Sequence, residues 1–236
     1  MQLSIMSRKI FKPKVQRIYI IKLPISVNSL IRQFTNKVTQ SSKLSIFMKN
    51  MRIREEARAL LYEWVKSESL RKHCLSVAVA MAGYAKKLNL SDDEIELYWM
   101  SGLLHDLDYE RFPDINVHPI EGCKELRRRE FDEEIITAIL GHNEKTGIKR
   151  YGKMAKTLFA VDELCGLIMA LAKVRPENFE VMSSESVKKA MKKKDFAAAI
   201  NREDIQKGIV ELEVSEDEHF ELVINSLKES KGELGF

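Results

Sequence analysis

Residues 101–113 read SGLLHDLDYERFP. An apolar helical pattern runs out into a loop here, and two side chains able to bind metal, His105 and Asp106, stand side by side at its end. Alone, the pair fits a capped helix end as well as it fits part of a metal site. The neighbouring segments decide between the two. His73 shares a face with Val77, Ala80 and Tyr84, and His142 follows Ile135 and Ile139. Asp162 lies on the stripe Leu158, Asp162, Cys165, Met169, and His105 extends the stripe of Leu97, Ser101 and Leu104. Steps of three and four residues project from one side of a helix, so all four polar residues are expected to point inward. A mid-helix carboxylate on the apolar side, such as Asp162, cannot be an N-cap and is costly to bury without a cation. One such residue reads as an internal ion pair, and one inward histidine as a satisfied core residue. Three inward histidines with two aspartates on successive helices read as ligands for Zn, Mn, Fe, Co or Ni. At a loosening helix end His105 and Asp106 can reach one ion, and the two oxygens of Asp106 can bridge to a second. His118, where the loop re-enters a helix before Pro119, reads either as a capping or exposed residue or as a ligand that serves the second ion with His142.

The rest of the chain fits a helical domain around that cluster. Of 236 residues, 44% are hydrophobic and 31% charged, enough for one full core. No apolar run approaches the roughly 20 residues that span a bilayer, so no membrane role is expected. Cys74, Cys123 and Cys165 lie far apart among apolar neighbours and read as buried, reduced thiols, which suits the cytoplasm. The net charge of +4 is uneven: ten of the 39 Lys and Arg fall in residues 1–50, which hold no acid. That segment is expected to be disordered, with translation starting near Met48 or a targeting role as the alternatives. The remainder is net acidic, which argues against nucleic-acid binding. From residue 52 the pattern predicts helices near 52–69, 71–88, 92–106, 119–129, 132–143, 153–173, 184–194, 202–213 and 216–229. Ser91 with Glu94, Asn201 with Asp204 and Ser215 with Glu218 mark starts by capping-box spacing, and Pro119 fits a first helical position. The chain therefore reads as all-α, with a metal-binding domain over 51–175 and a helical extension over 176–236 packed on it.

In order, His73, His105-Asp106, His118, His142 and Asp162 resemble the HD-domain superfamily of metal-dependent phosphohydrolases. The segments HCLSVAVAMAGYA, GLLHDLDYERFP, HPIEGCKELR, IITAILGHNE and LFAVDELCGLI are similar to its HDIG-type members over roughly 70–172, and the tail SVKKAMKKKDFAAAINREDI is similar to that of uncharacterised HD hydrolases. The resemblance implies an HD-domain helical bundle. It implies a first metal held by His73, His105, Asp106 and Asp162, and a second on His118 and His142 with Asp106, the central catalytic ligand, bridging. One or two divalent ions (Mn, Fe, Co, Ni, Zn or Mg) would activate hydroxide against a phosphomonoester or phosphodiester of nucleotide type. Asp108 stands where HDIG has glycine, which puts the loop shape in question. Lys145 and Arg150, close after His142 in GHNEKTGIKR, are named as phosphate clamps, although each also reads as a solvated loop charge. Glu144 and Glu163 stand beside proposed ligands and read either as water-positioning groups or as helix-surface acids. Two other functions stay open: a di-iron HD-type oxygenase, and a non-catalytic metal-binding sensor or interaction module.

Overall fold

A computed structural model describes residues 52–175 and 177–236, and all regular structure among them is helical. The expectation for residues 1–50 lies outside the described residues. Helix α1 covers residues 52–64. It is followed by α2 (Glu68–Lys87), α3 (Asp92–Leu104), α4 (Ile120–Arg128), α5 (Glu133–His142), a 3-10 turn (Glu144–Thr146), α6 (Lys153–Lys173), α7 (Ser184–Lys192), α8 (Arg202–Leu212), α9 (Glu216–Glu229) and α10 (Lys231–Leu234). None of them is long and apolar enough to cross a membrane.

Local chemistry sets most of these starts. The Ser91 hydroxyl accepts from Glu94 N–H while the Glu94 carboxylate takes Ser91 N–H, a complete capping box. Asn201 and Ser215 cap α8 and α9 through their side-chain oxygens. The expected break at 70 comes earlier, because Ser67 turns extended and accepts from Leu70 N–H. Pro119 is the N-cap of α4, one position before the place expected for it.

Helix α6 is the axis of the bundle: α2, α5 and α8 pack along it, and α3, α7 and α9 touch it. Two crossings are close enough to require glycine. A Cβ on Gly102 of α3 would lie 2.7 Å from the backbone of Ala78 on α2, and one on Gly208 of α8 would lie 2.5 Å from Cα of Ala160 on α6. The first crossing carries the end of α3, with His105, up to His73. The second seats the C-terminal helices on the same core, to which α9 adds Phe220, Val223, Ile224 and Leu227. The domain boundary expected at 175 falls just beyond the end of α6, at Lys173, with no break in the core. Phe196 packs against that core, and Lys188 pairs with Glu185 and Asp217. All three cysteines are buried and free.

His219, fully buried on α9, donates from Nε2 to Ala160 O (3.1 Å) and accepts at Nδ1 from the Tyr84 hydroxyl. Burial holds its pKa down at about 4, against roughly 6.5 when unfolded. Between those values the unfolded chain binds a proton that the folded chain refuses. The contribution of neutral His219 is therefore complete above about pH 6.5 and lost as pH falls toward about 4, on the order of 3 kcal/mol. Urea unfolding of the wild type and His219→Gln at pH 7.5 and 5 should show a smaller acid loss in the variant; equal losses would refute the assignment. Gly208→Ala should cost about 1–3 kcal/mol in the same assay, and an unchanged midpoint would contradict the close crossing.

Candidate metal centre

Five chain segments deliver the polar cluster. His73 comes from the middle of α2, His105 is the C-cap residue of α3, and Asp106 follows it. His118 ends the α3–α4 loop at a cis peptide bond to Pro119, His142 is the last residue of α5, and Asp162 sits mid-way along α6. All six sequence-expected residues converge. They form two groups of three, His73 with His105 and Asp162, and Asp106 with His118 and His142; within each group the candidate ligand atoms lie within 4.8 Å of one another. Asp106 stands between the groups. Its Oδ2 faces Nε2 of His105 (3.4 Å) and His73 (3.7 Å), and its Oδ1 faces Nε2 of His118 (3.2 Å) and His142 (3.7 Å). Asp162 Oδ1 closes the first group at 3.0 Å from His73 and 3.3 Å from His105.

The backbone fixes which ring nitrogens face inward. The last carbonyls of a helix lack intrahelical partners. His105 Nδ1 uses one, Gly102 O at 2.8 Å, and His142 Nδ1 uses another, Ile139 O. His118 Nδ1 donates to Asp108 Oδ1 at 2.6 Å. With each Nδ1–H committed to an acceptor, each Nε2 turns a lone pair toward the centre. In the neutral tautomers Nε2 of His118 and Nε2 of His142 would face each other with lone pairs at 3.1 Å, and fully buried His105 Nε2 has no hydrogen-bond partner. Lone pairs facing each other and carboxylates are unfavourable until positive charge enters. The titration behaviour agrees. For His105, burial works against protonation, but Asp106 and Asp162 outweigh it and raise the pKa well above normal. For His118, burial is likewise overcome by Asp106 and Asp108, bringing it to about 9. His142 is pushed down to about 4 by burial and by His105. Burial opposes ionisation of Asp106 and Asp162, yet the surrounding imidazoles hold both well below the carboxylate range. Four imidazoles and two carboxylates around a charge-hungry centre fit one or two divalent cations.

Two supporting roles escaped the sequence reading, that of Asp108, noted there only for the loop shape, and that of Asn143. Asp108 is fully buried; besides His118 it accepts from Gly122 N–H at 2.7 Å, tying the start of α4 to the ligand loop. Its place in the loop is thus structural and internal. Asn143 donates its amide to Ile115 O (2.7 Å) and His118 O (2.6 Å), fastening the same loop to the end of α5. Neither residue carries a motif of its own; the cue was only an acid or amide one or two positions from a ligand.

A cavity of about 580 Å³ opens over the cluster. Lys145 lines it, as expected of a clamp, whereas Arg150 does not. The Arg150 guanidinium is bound by Glu211 (2.6 Å) and Glu144, donates to Gly141 O and stacks on Phe159. Its clamp role is therefore corrected to a structural one, because an acid from α8 captures it. Glu144 is held by Arg150 and Lys207. Glu163 lines the cavity and accepts from Asn201 N–H at 3.1 Å; burial and neighbouring Asp162 raise its pKa to about 7.

The chain matches the family model for the HD domain over residues 70–172. No curated protein and no solved structure matches it. The matched span runs from the first turn of α2 to the last turn of α6 and holds all six clustered residues, while α7–α10 lie beyond it. Residues 70–172 of this chain are therefore an HD domain.

Proposed function

We propose that this protein is a two-metal phosphohydrolase that cleaves a small phosphate ester, with a nucleotide as the leading substrate type. The observation that carries this reading is Asp106, whose Oδ2 faces His73 and His105 while its Oδ1 faces His118 and His142. His73, His105 and Asp162 would hold one ion and His118 and His142 the other, with Asp106 shared. When bound, such ions lower the pKa of water and offset charge on phosphoryl oxygens. The chain supplies the rest. The water oxygen joins phosphorus, the ester oxygen departs with its bonding pair, and the proton given up by water ends on that oxygen, leaving an alcohol and inorganic phosphate. The fixed Nε2 lone pairs keep the cluster preorganised for this reaction. Lys145, which makes no ion pair among the described residues, is free to meet a phosphoryl oxygen. Asp108 acts through His118, keeping its tautomer and aim.

Protein purified without chelators should contain a transition metal and release phosphate from an aryl phosphate. No release across Mn, Co, Ni and Mg would sink the hydrolase reading. Asp106→Ala should lose both metal and turnover, while His118→Ala should lose about one equivalent by elemental analysis; unchanged stoichiometry in the latter would mean a single-ion site. Asp108→Asn should weaken the second ion by about 10–100-fold in a metal titration and spare the first. Equal weakening of both ions would show that Asp108 merely holds the fold.

A further inference from the structure

The C-terminal extension completes the cavity wall through Ile200, Asn201 and Asp204, and the chemistry it brings there is unlike that of a phosphate channel. Arg202 gathers the carbonyls of Lys193 (3.1 Å), Phe196, Ala197 (3.3 Å) and Ile200 (3.0 Å), which fixes the turn leading into α8. That turn lays Ile200 over Gly166, where an added Cβ would meet its Cδ1 at 2.7 Å, and sets Asn201 and Asp204 on the cavity wall beside Glu163. Glu163 takes one backbone N–H from Asn201, and Asp204 takes the Asn201 amide at 2.6 Å. Neither carboxylate has a cation within ion-pair distance among the described residues, so each keeps acceptor capacity facing the cavity. Lys145 is the one Lys or Arg lining the cavity among those residues. The apolar part of the wall comes from Leu70, Pro113, Ile115, Phe159 and Ile200, with the Tyr109 ring.

Resting on the hydrolase reading above, we infer that the substrate is a phosphomonoester of an alcohol bearing further hydroxyl or ammonium donors, and that polyphosphates are excluded. A single phosphoryl group at the His/Asp cluster, with Lys145 beside it, uses the positive charge this cavity offers. A second or third phosphate that reached Glu163 and Asp204 would meet acidic groups that make no ion pair among the described residues. Hydroxyl or ammonium groups placed there instead use the acceptor capacity that Asn201 leaves on both carboxylates, and a neutral ring or chain covers the apolar wall. A ribonucleoside 5′-monophosphate has these properties and the corresponding triphosphate does not.

The test uses the full chain loaded with Mn or Co and three probes: a ribonucleoside 5′-monophosphate, its 5′-triphosphate and p-nitrophenyl phosphate, which has no donors. The monophosphate should exceed the triphosphate in kcat/KM, and undercut the aryl phosphate in KM, by roughly tenfold or more. Asp204→Lys should narrow the monophosphate-to-triphosphate ratio by roughly tenfold. The near-isosteric Glu163→Gln and Asp204→Asn should raise KM for the monophosphate more than for the aryl ester. Aryl phosphate turnover accompanied by equal use of mono- and triphosphate would overturn the inference and leave the hydrolase reading standing. Selectivities that do not respond to any of these substitutions would overturn it in the same way. Silence on all three probes would remove the hydrolase reading and the substrate assignment together.

Discussion

Everything in this bundle is organised around one carboxylate facing two ways. Asp106 sits where α3 loosens, with one oxygen toward His73 and His105 and the other toward His118 and His142. Such a group is tolerable inside a protein only if positive charge accompanies it, because an unpaired buried ion is strongly unfavourable. The folded chain provides no lysine or arginine for the purpose among the described residues. It surrounds Asp106 and Asp162 with imidazoles, and against the effect of burial the two carboxylates raise the pKa of His105 while Asp106 and Asp108 raise that of His118. A cation bound there would displace those protons, coupling its affinity to pH.

The precision of the centre comes from features that are not themselves ligands. At the ends of α3 and α5, the carbonyls of Gly102 and Ile139 are free because the helices stop there, and each orients a histidine three residues later. A helix terminus, usually a problem of unsatisfied backbone, here becomes the device that fixes a tautomer. The glycine crossing of α3 over Ala78 serves the same end, since a side chain at 102 would lift His105 away from His73. His118 lies in a loop without such a carbonyl. Asp108 and Asn143 replace it, one holding the ring and the other the backbone.

What could be read from the sequence follows from this division. The ligands were legible because helical spacing places a polar residue on an apolar face, and inward polarity needs a reason. Asp162 was the clearest case, being mid-helix and flanked by Leu158 and Cys165. Asp108, Asn143 and the Asn201–Asp204 wall were not legible as parts of the site, since their partners lie 10 to 38 residues away across loops whose path periodicity does not describe. Arg150 shows the opposite error. It is close to His142 in the chain, but a long flexible side chain goes to the strongest acceptor, and Glu211 of α8 supplied it. Helix boundaries drifted where a single residue such as Ser67 or Pro119 imposed its own geometry.

The arrangement also separates chemistry from selection. The span that matches the HD domain ends at Ala172, and within it lie the groups that attract cations and could act on any phosphate ester. The turn that Arg202 ties down belongs to the extension beyond that span, and it contributes Ile200, Asn201 and Asp204 to the same cavity. Glu163 marks the junction: it is next to a ligand in sequence, yet its carboxylate is held by the backbone of Asn201. Any displacement of α8 would therefore move the cavity wall made by Ile200, Asn201 and Asp204, none of which belongs to the segments that carry Asp106 and its histidines. Since Gly208 permits α8 to approach α6 at backbone distance, the reach of that wall is set by one crossing with little freedom to slide. A rigid crossing of this kind suits discrimination by charge and donor placement more than accommodation of many shapes.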